Sequence, residues 1–380
     1  MTDPAGPDEQ APAAYLDSAS SERLHPTAVD VLTSLLARGE HADPRRLHGA
    51  GRTSRLLLDN ARAVAAEALE VRPDELTFTS SGTDAVHRGL LGLVRGSRRG
   101  STVVHSAVEH AAVAHAVAWG GESDEVLADE WGRVAVRDLV EHGSAAGVAA
   151  VALQTANHEV GTIQPVGELD LPPGVPLFTD ACASMGRLPL PGGWDVAAGS
   201  AHKWGGPAGV GVLLVRKGTR WRNPFPGDDR VDERAVGFEN VAGALAAAAA
   251  LQSVVAERDE TNARQSALID RIRASVAAIP DTQVVGDPVD RLPHLVTFSF
   301  LYVDGEALVS ELDRRGLAVA SGSACAASTL EPSRVLAAMR VLTHGNVRVS
   351  LTRDTTDADV DRLLTALPEV VAELRDRVGL

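Results

Sequence analysis

A lysine in a tight, glycine-rich turn is the first residue of this chain with chemistry to offer. Lys203 stands in Ser200-Ala201-His202-Lys203-Trp204-Gly205-Gly206-Pro207, with no run of charge around it. Most lysines lie on solvated faces; this one sits among small residues and rings. An apolar segment at 194–198 leads into the turn, and a strand-like run at 210–215 leaves it. An amine partly withdrawn from water loses solvation of its charged form, which favours the free amine that attacks carbonyls. A carboxylate stands upstream: Pro176-Leu177-Phe178-Thr179-Asp180 reads as a buried strand ending in an acid. A lysine that condenses with an aldehyde, paired with a carboxylate that keeps a pyridine nitrogen protonated, is what pyridoxal 5'-phosphate requires. Asp180 is equally suited to cap a helix from Ala181, and the two roles compete for the same oxygens.

Other chemistry-bearing residues fall just after predicted strands, where ligands bind in open parallel sheets. Ser80-Ser81-Gly82-Thr83-Asp84 opens a helix, and its free N–H groups suit a phosphate. His110, in Val108-Glu109-His110, can stack on a flat ring and shuttle a proton, or be structural. Asn157, in Gln154-Thr155-Ala156-Asn157-His158-Glu159-Val160-Gly161, can hydrogen-bond a cofactor oxygen. Ser200 and His202 stand within reach of a phosphate. Two further residues lie far along the chain. Cys325, in Ser321-Gly322-Ser323-Ala324-Cys325-Ala326-Ala327-Ser328, reads as an accessible loop thiol suited to nucleophilic work, or as an inert small hydrophobe. Arg348, in the apolar strand Val347-Arg348-Val349-Ser350-Leu351, needs an anion: a substrate carboxylate or a structural acid.

The elements that position these residues alternate. Strands are expected at 75–79, 102–105, 148–153, 177–179, 196–198 and 210–215, with helices at 26–37, 54–70 (capped by Thr53), 83–94 and 111–119. That order implies a mainly parallel sheet in an α/β domain. A long helical pattern runs from 240 to about 279, and a second α/β unit follows: strands at 295–300, 318–320 and 347–351, helices at 305–315, 332–339 and 357–378. Residues 1–14 read as a disordered tail, 15–255 as the large domain and 256–380 as the smaller one, which the segment after the tail packs against. Cys182, beside Asp180, is read as packing.

The 380 residues carry a net charge of −15, which argues against a nucleic-acid or anionic-membrane surface. No segment is long and apolar enough to span a bilayer. Two cysteines exclude a disulfide framework and fit a reducing compartment, so the expected location is cytoplasmic. His105, His110 and His115 recur at intervals that do not share a helical face, and no CxxC or HExxH spacing occurs, so no metal site is expected.

From Tyr15-Leu16-Asp17 to about residue 374 the chain resembles the cysteine desulfurases, pyridoxal-phosphate enzymes of fold type I in the class V aminotransferase superfamily. The resemblance rests on Ser200-Ala201-His202-Lys203, Thr179-Asp180-Ala181, Asn157-His158-Glu159-Val160-Gly161, and Ser321-Gly322-Ser323-Ala324-Cys325 leading to Leu330-Glu331-Pro332-Ser333. It implies Lys203 as the Schiff-base lysine, Asp180 as partner of the ring nitrogen and His110 as the stacking acid/base. Gly82, Thr83, Ser200 and His202 would hold the phosphate; Asn157 and Arg348 would place the substrate L-cysteine. Cys325 would receive its sulfur as a persulfide for an acceptor or carrier protein, leaving L-alanine. A homodimer is also implied. The chain departs from the family pattern at Ala183, where a glutamine is usual, at Phe238, where a threonine is usual, and in lacking a Gly-Gly-Gly stretch near Pro226. Selenocysteine lyase, another pyridoxal-phosphate C–S lyase, or a scaffold without activity are the alternatives.

Overall fold

The structure is a computed structural model that describes residues 13–39, 42–227, 232–321 and 332–379. Residues 322–331, with Cys325 and five of the family-like positions around it, lie outside the described residues. The chain enters as a two-residue strand, β1 (Ala14–Tyr15), and crosses to α1 (Pro26–Arg38) and α2 (Gly49–Ala68). α2 begins five residues before the expected start at Ser54. His48 is its N-cap, its Nδ1 accepting from the Gly51 N–H at 3.1 Å. Thr53 therefore lies inside the helix and turns its hydroxyl back to the Gly49 carbonyl. An imidazole did the work usually assigned to a Ser, Thr or Asp cap.

β2 (Leu76–Thr79), α3 (Gly82–Gly96), β3 (Thr102–Ser106), α4 (Ala111–Gly120), β4 (Glu122–Val126), α5 (Val136–Gly143), β5 (Val148–Ala152), β6 (Leu177–Asp180), β7 (Val196–Ser200) and β8 (Gly211–Val215) build the central layer. Their order in the sheet is β2-β8-β7-β6-β5-β3-β4. β7, β6, β5, β3 and β4 run parallel, while β8 is antiparallel to both of its neighbours. Every residue of β5, β6 and β7 is buried, as a sheet covered on both faces demands. α3 turns Ala85, Val86, Leu90 and Leu93 onto this sheet, against Phe178 and Val196. β4 carries no strand signal in the sequence, because Glu122-Ser123-Asp124-Glu125 is an acidic, largely exposed edge without apolar alternation.

The helical pattern from 240 to 279 is two helices, α6 (Val241–Ala256) and α7 (Arg258–Ala277), bent by 69°. Alanine-rich α6 is buried in one core with Trp204 and parts of α1 and α2. The break falls at Glu257, whose carboxylate stands 3.4 Å from His25 Nε2. Among the described residues no single helix is long and apolar enough to cross a membrane.

The remaining elements are β9 (Thr282–Val285), β10 (Leu295–Phe300), α8 (Gly305–Arg314), β11 (Leu317–Ala318), α9 (Arg334–Ala338), β12 (Asn346–Ser350) and α10 (Asp357–Asp376). β12-β10-β9 form an antiparallel sheet with its own core, shared with α7, α8 and α10. β1 joins this part, parallel to β11, and Leu16 is fully buried in its core. Residues 17–22 then run from this core back to the Lys203 turn. The Glu22 N–H donates to His202 O at 2.8 Å and the His25 N–H to Gly205 O at 2.8 Å. Gly205, at φ 83°, allows that approach: a side chain there would meet the backbone of Arg23 and His25.

Candidate active site

The C-terminal ends of β6 and β7 deliver their last residues to one rim. Asp180 ends β6 and Ser200 ends β7, and the turn after β7 raises Lys203 beside them. With Gly82, His110 and Arg348 they line a cavity of about 330 Å³, where Thr83 and His202 also stand. Eight residues singled out in the sequence thus meet at one place, from five separate elements and the segments beside them.

The start of α3 makes a close cradle. Ser81 caps the helix, its Oγ accepting from the Asp84 N–H at 3.0 Å. A side chain at Gly82 would put its Cβ 2.6 Å from Ser200 Cβ and 2.8 Å from Ser200 Oγ, so the backbone meets β7 directly. Ser200 Oγ lies 3.0 Å from His202 Nδ1. Burial, then Lys203, hold the His202 imidazole below its ordinary pKa. The dipole and free N–H groups of α3, two hydroxyls and an imidazole fit the recognition of a phosphate ester.

Asp180 is buried. Its Oδ1 accepts from the Cys182 N–H at 2.9 Å, and the Cys182 thiol hydrogen-bonds the same carboxylate. Cys182, read as packing, does pack against the Phe178 core and also lines the cavity. Burial and then the Asp180 charge push its thiol pKa well up, so it is held as the neutral thiol. Lys203 Nζ donates to the Ala19 carbonyl, which ties the amine to the 17–22 crossing segment.

His110 caps α4, its Nδ1 accepting from the Ala112 N–H at 3.1 Å. Burial lowers its pKa, with Asp180 opposing, so the neutral ring carries its proton on Nε2. Its ring meets His158 edge-on, with centroids 4.8 Å apart. His158 was not singled out in the sequence. Burial keeps it well below the usual imidazole range. Beneath this pair two carboxyls are buried. Burial raises Glu109 to about 8; its Oε1 accepts from the Gln154 N–H at 2.8 Å. Burial likewise raises Glu159 to about 7, opposed by the hydroxyl of Ser333 at 2.5 Å and by Arg348.

Asn157 departs from its expected place. It is fully buried but is not among the residues lining the cavity. Its Oδ1 accepts from the Glu159 and Val160 N–H groups and its Nδ2 donates to Val108 O, so the side chain pins the 157–161 turn. Arg348 does reach the cavity, with Asp17 as ion-pair partner at 2.8 Å. Ala183 lines the cavity where the resemblance expects a glutamine. Phe238 stands 61% exposed, beside Gly237 at φ 81°. Among the described residues no group of three or more His, Cys, Asp or Glu is placed to hold a metal ion. The residues missed in the sequence, Ala19, Ser20 and His158, have no local signal. They reach the cavity because the crossing segment and the 157–161 turn fold against strands distant in sequence.

Comparison with known proteins fits this geometry. The family model "Aminotransferase class-V" matches residues 14–363. A cysteine desulfurase of Cereibacter sphaeroides is 36% identical over 379 residues, covering 95% of this chain and 96% of the relative. The cysteine desulfurase IscS of Methanosarcina thermophila is 32% identical over 378 residues, covering 96% and 93%. Among solved structures, a NifS-like protein superposes with a TM-score of 0.87 at 26% identity, covering 95% of this chain and all of the other.

Proposed function

The chain belongs to the class-V aminotransferases and, within them, to the cysteine desulfurases, and from that premise we propose that it moves the sulfur of L-cysteine onto Cys325 as a persulfide, releases L-alanine and passes the sulfur to an acceptor protein. One observation carries the reading: a single cavity gathers the Gly82–Ser200 cradle, Asp180, His110, Lys203 and Arg348. The family works with pyridoxal phosphate, and these residues fit it. The cradle has room for a phosphate because Gly82 has no side chain, and the buried Asp180 carboxylate suits a protonated ring nitrogen. Bound there, the cofactor would supply a sink for electrons released at the substrate Cα.

The chain's own residues have the following roles in this reading. Lys203 holds the cofactor through Nζ and moves the proton at Cα. Gly82, Thr83, Ser200 and His202 would hold the phosphate, and His110 would stand against the ring and serve protons through Nε2. Arg348 takes the substrate carboxylate. The Cys325 thiolate attacks the substrate sulfur. The carbon–sulfur bond breaks, a sulfur–sulfur bond forms, and the carbon skeleton leaves as alanine once protons are restored. Asn157 acts on this site from behind, by fixing the turn that carries His158. We read the protein as a cytoplasmic homodimer; Leu36, Leu47 and Leu56, left in solvent around α1 and α2, support a second copy.

The test is Cys325→Ala. Purified wild-type protein given L-cysteine should release alanine and gain one sulfur atom of mass on the peptide bearing Cys325. The variant should keep the visible absorbance of bound cofactor and form no alanine. Alanine release at the wild-type rate from the variant would make the protein a lyase that frees sulfur without a persulfide.

A further inference from the structure

Arg348 is buried, yet not all of its donors are used. Its side chain is 4% exposed. Nη1 donates to the His158 carbonyl at 3.1 Å. Nη2 donates to Asp17 Oδ1 at 2.8 Å and to Ser20 Oγ at 2.7 Å, and Ser20 Oγ donates to the same Asp17 oxygen at 2.9 Å. Nε is buried with no partner. A guanidinium grips a carboxylate bidentately along one of two edges, Nε with Nη2 or Nη1 with Nη2. Both edges use Nη2, and both Nη2 hydrogens are taken. The unpartnered Nε is half of the side-on grip.

We propose that Asp17, with Ser20, is an internal counter-ion that occupies Arg348 before substrate arrives, and that the incoming carboxylate must displace it from Nη2. The inference rests on the reading of Arg348 as the carboxylate binder. Asp17 then sets how tightly the site takes amino acids and how strongly it prefers them to amines without a carboxylate. Displacement is open to Asp17 because its side chain is 20% exposed, so the released carboxylate has water to turn to. Arg348 has none.

The experiment is a spectral titration of the holoenzyme with L-alanine and with cysteamine, which lacks the carboxylate, together with steady-state kinetics on L-cysteine. Asp17→Asn should lower the alanine Kd by roughly fivefold, the worth of one modest ion pair. It should leave the cysteamine Kd unchanged and lower KM for L-cysteine more than it alters kcat. Ser20→Ala should shift alanine binding in the same direction by less, and gives an independent measurement should Asp17→Asn fail to fold. Weaker alanine binding in either variant, or equal shifts for alanine and cysteamine, would make Asp17 a mere support for Arg348 and overturn the proposal. Arg348→Ala separates the two layers. If it still prefers alanine to cysteamine as the wild type does, Arg348 is not the carboxylate binder and both readings fall.

Discussion

Replacing one hydrogen at Gly82 tests the cradle directly. In Gly82→Ala the new Cβ would stand 2.6 Å from Ser200 Cβ, 2.8 Å from Ser200 Oγ and 3.0 Å from Cys182 Sγ. Ser200 Cβ is fixed to the β7 backbone and cannot rotate away, so α3 or β7 must move by several tenths of an ångström. Overpacking of this kind costs about 1–3 kcal/mol. Alanine regains at most about 1 kcal/mol of helix propensity over glycine, and less at a first helical position. The expected net loss is about 1–2 kcal/mol, or roughly 1–3 °C in Tm for a chain of this size. Cofactor binding should suffer alongside stability, because the N–H groups proposed to hold the phosphate are the ones displaced. Loss of about one charge-assisted hydrogen bond weakens binding roughly tenfold. The assay is a thermal melt together with the visible absorbance retained through dialysis. Gly49→Ala is the control: it also lies at a helix start, and nothing stands within 4 Å of its new Cβ. A double-mutant cycle with Ser200→Gly should show a favourable coupling of about 1 kcal/mol, because it removes both serine contacts. A Gly82→Ala protein as stable and as well loaded as the wild type, or zero coupling to Ser200→Gly, would refute the account.

Two predictions concern the framework around the site. Glu109 has its folded pKa raised to about 8 from 4.5 by burial, so its contribution to stability is full below pH 4.5 and is lost as pH rises through 8. Over that window it should lower wild-type stability by at most about 1.4 kcal/mol per pH unit. Glu109→Gln removes the slope, so urea midpoints at pH 5.5, 7 and 8.5 should diverge in favour of the variant as pH rises; parallel curves would show that Glu109 does not titrate there. Glu22 and Arg187 form a buried pair at 2.7 Å. Arg187→Met leaves Glu22 buried and unpaired and should cost about 3 kcal/mol, whereas the pair Glu22→Gln with Arg187→Met should cost clearly less. Urea unfolding checks this, and equal losses in single and double variants would contradict it.

What could be read from the sequence follows the range of the interactions. The Lys203 turn, the end of β6 at Asp180 and the start of α3 at Gly82 were legible because each is written within a few consecutive residues: an apolar strand, then small or polar residues that end it. The parallel sheet was legible for the same reason, since its buried strands are apolar throughout. Features that rest on side-chain choice rather than pattern were not. His48 caps α2 with a ring nitrogen, and β4 is an acidic edge. Cys182 sits at the cavity because a thiol happens to fit between Asp180 and the Gly82–Ser200 contact. The largest gap was the segment 17–22. Its residues look like an ordinary extended stretch, yet Ala19 holds Lys203 and Asp17 and Ser20 hold Arg348, across more than 180 and 320 positions. No periodicity reports a contact of that length.

Arg348 shows why such contacts matter to function and not only to fold. From the sequence its two possible partners, a substrate carboxylate and a structural acid, stand as alternatives. If the incoming carboxylate displaces Asp17 from Nη2, as proposed, they are successive. A guanidinium has five N–H donors, and the fold spends three of them, on His158, Asp17 and Ser20. A fully paired arginine would have no affinity left for substrate, and an unpaired one would be costly to bury. Holding the charge with a partly exposed acid while leaving Nε unsatisfied meets both constraints, and under the proposal the ion pair is the ground state from which substrate binding is measured.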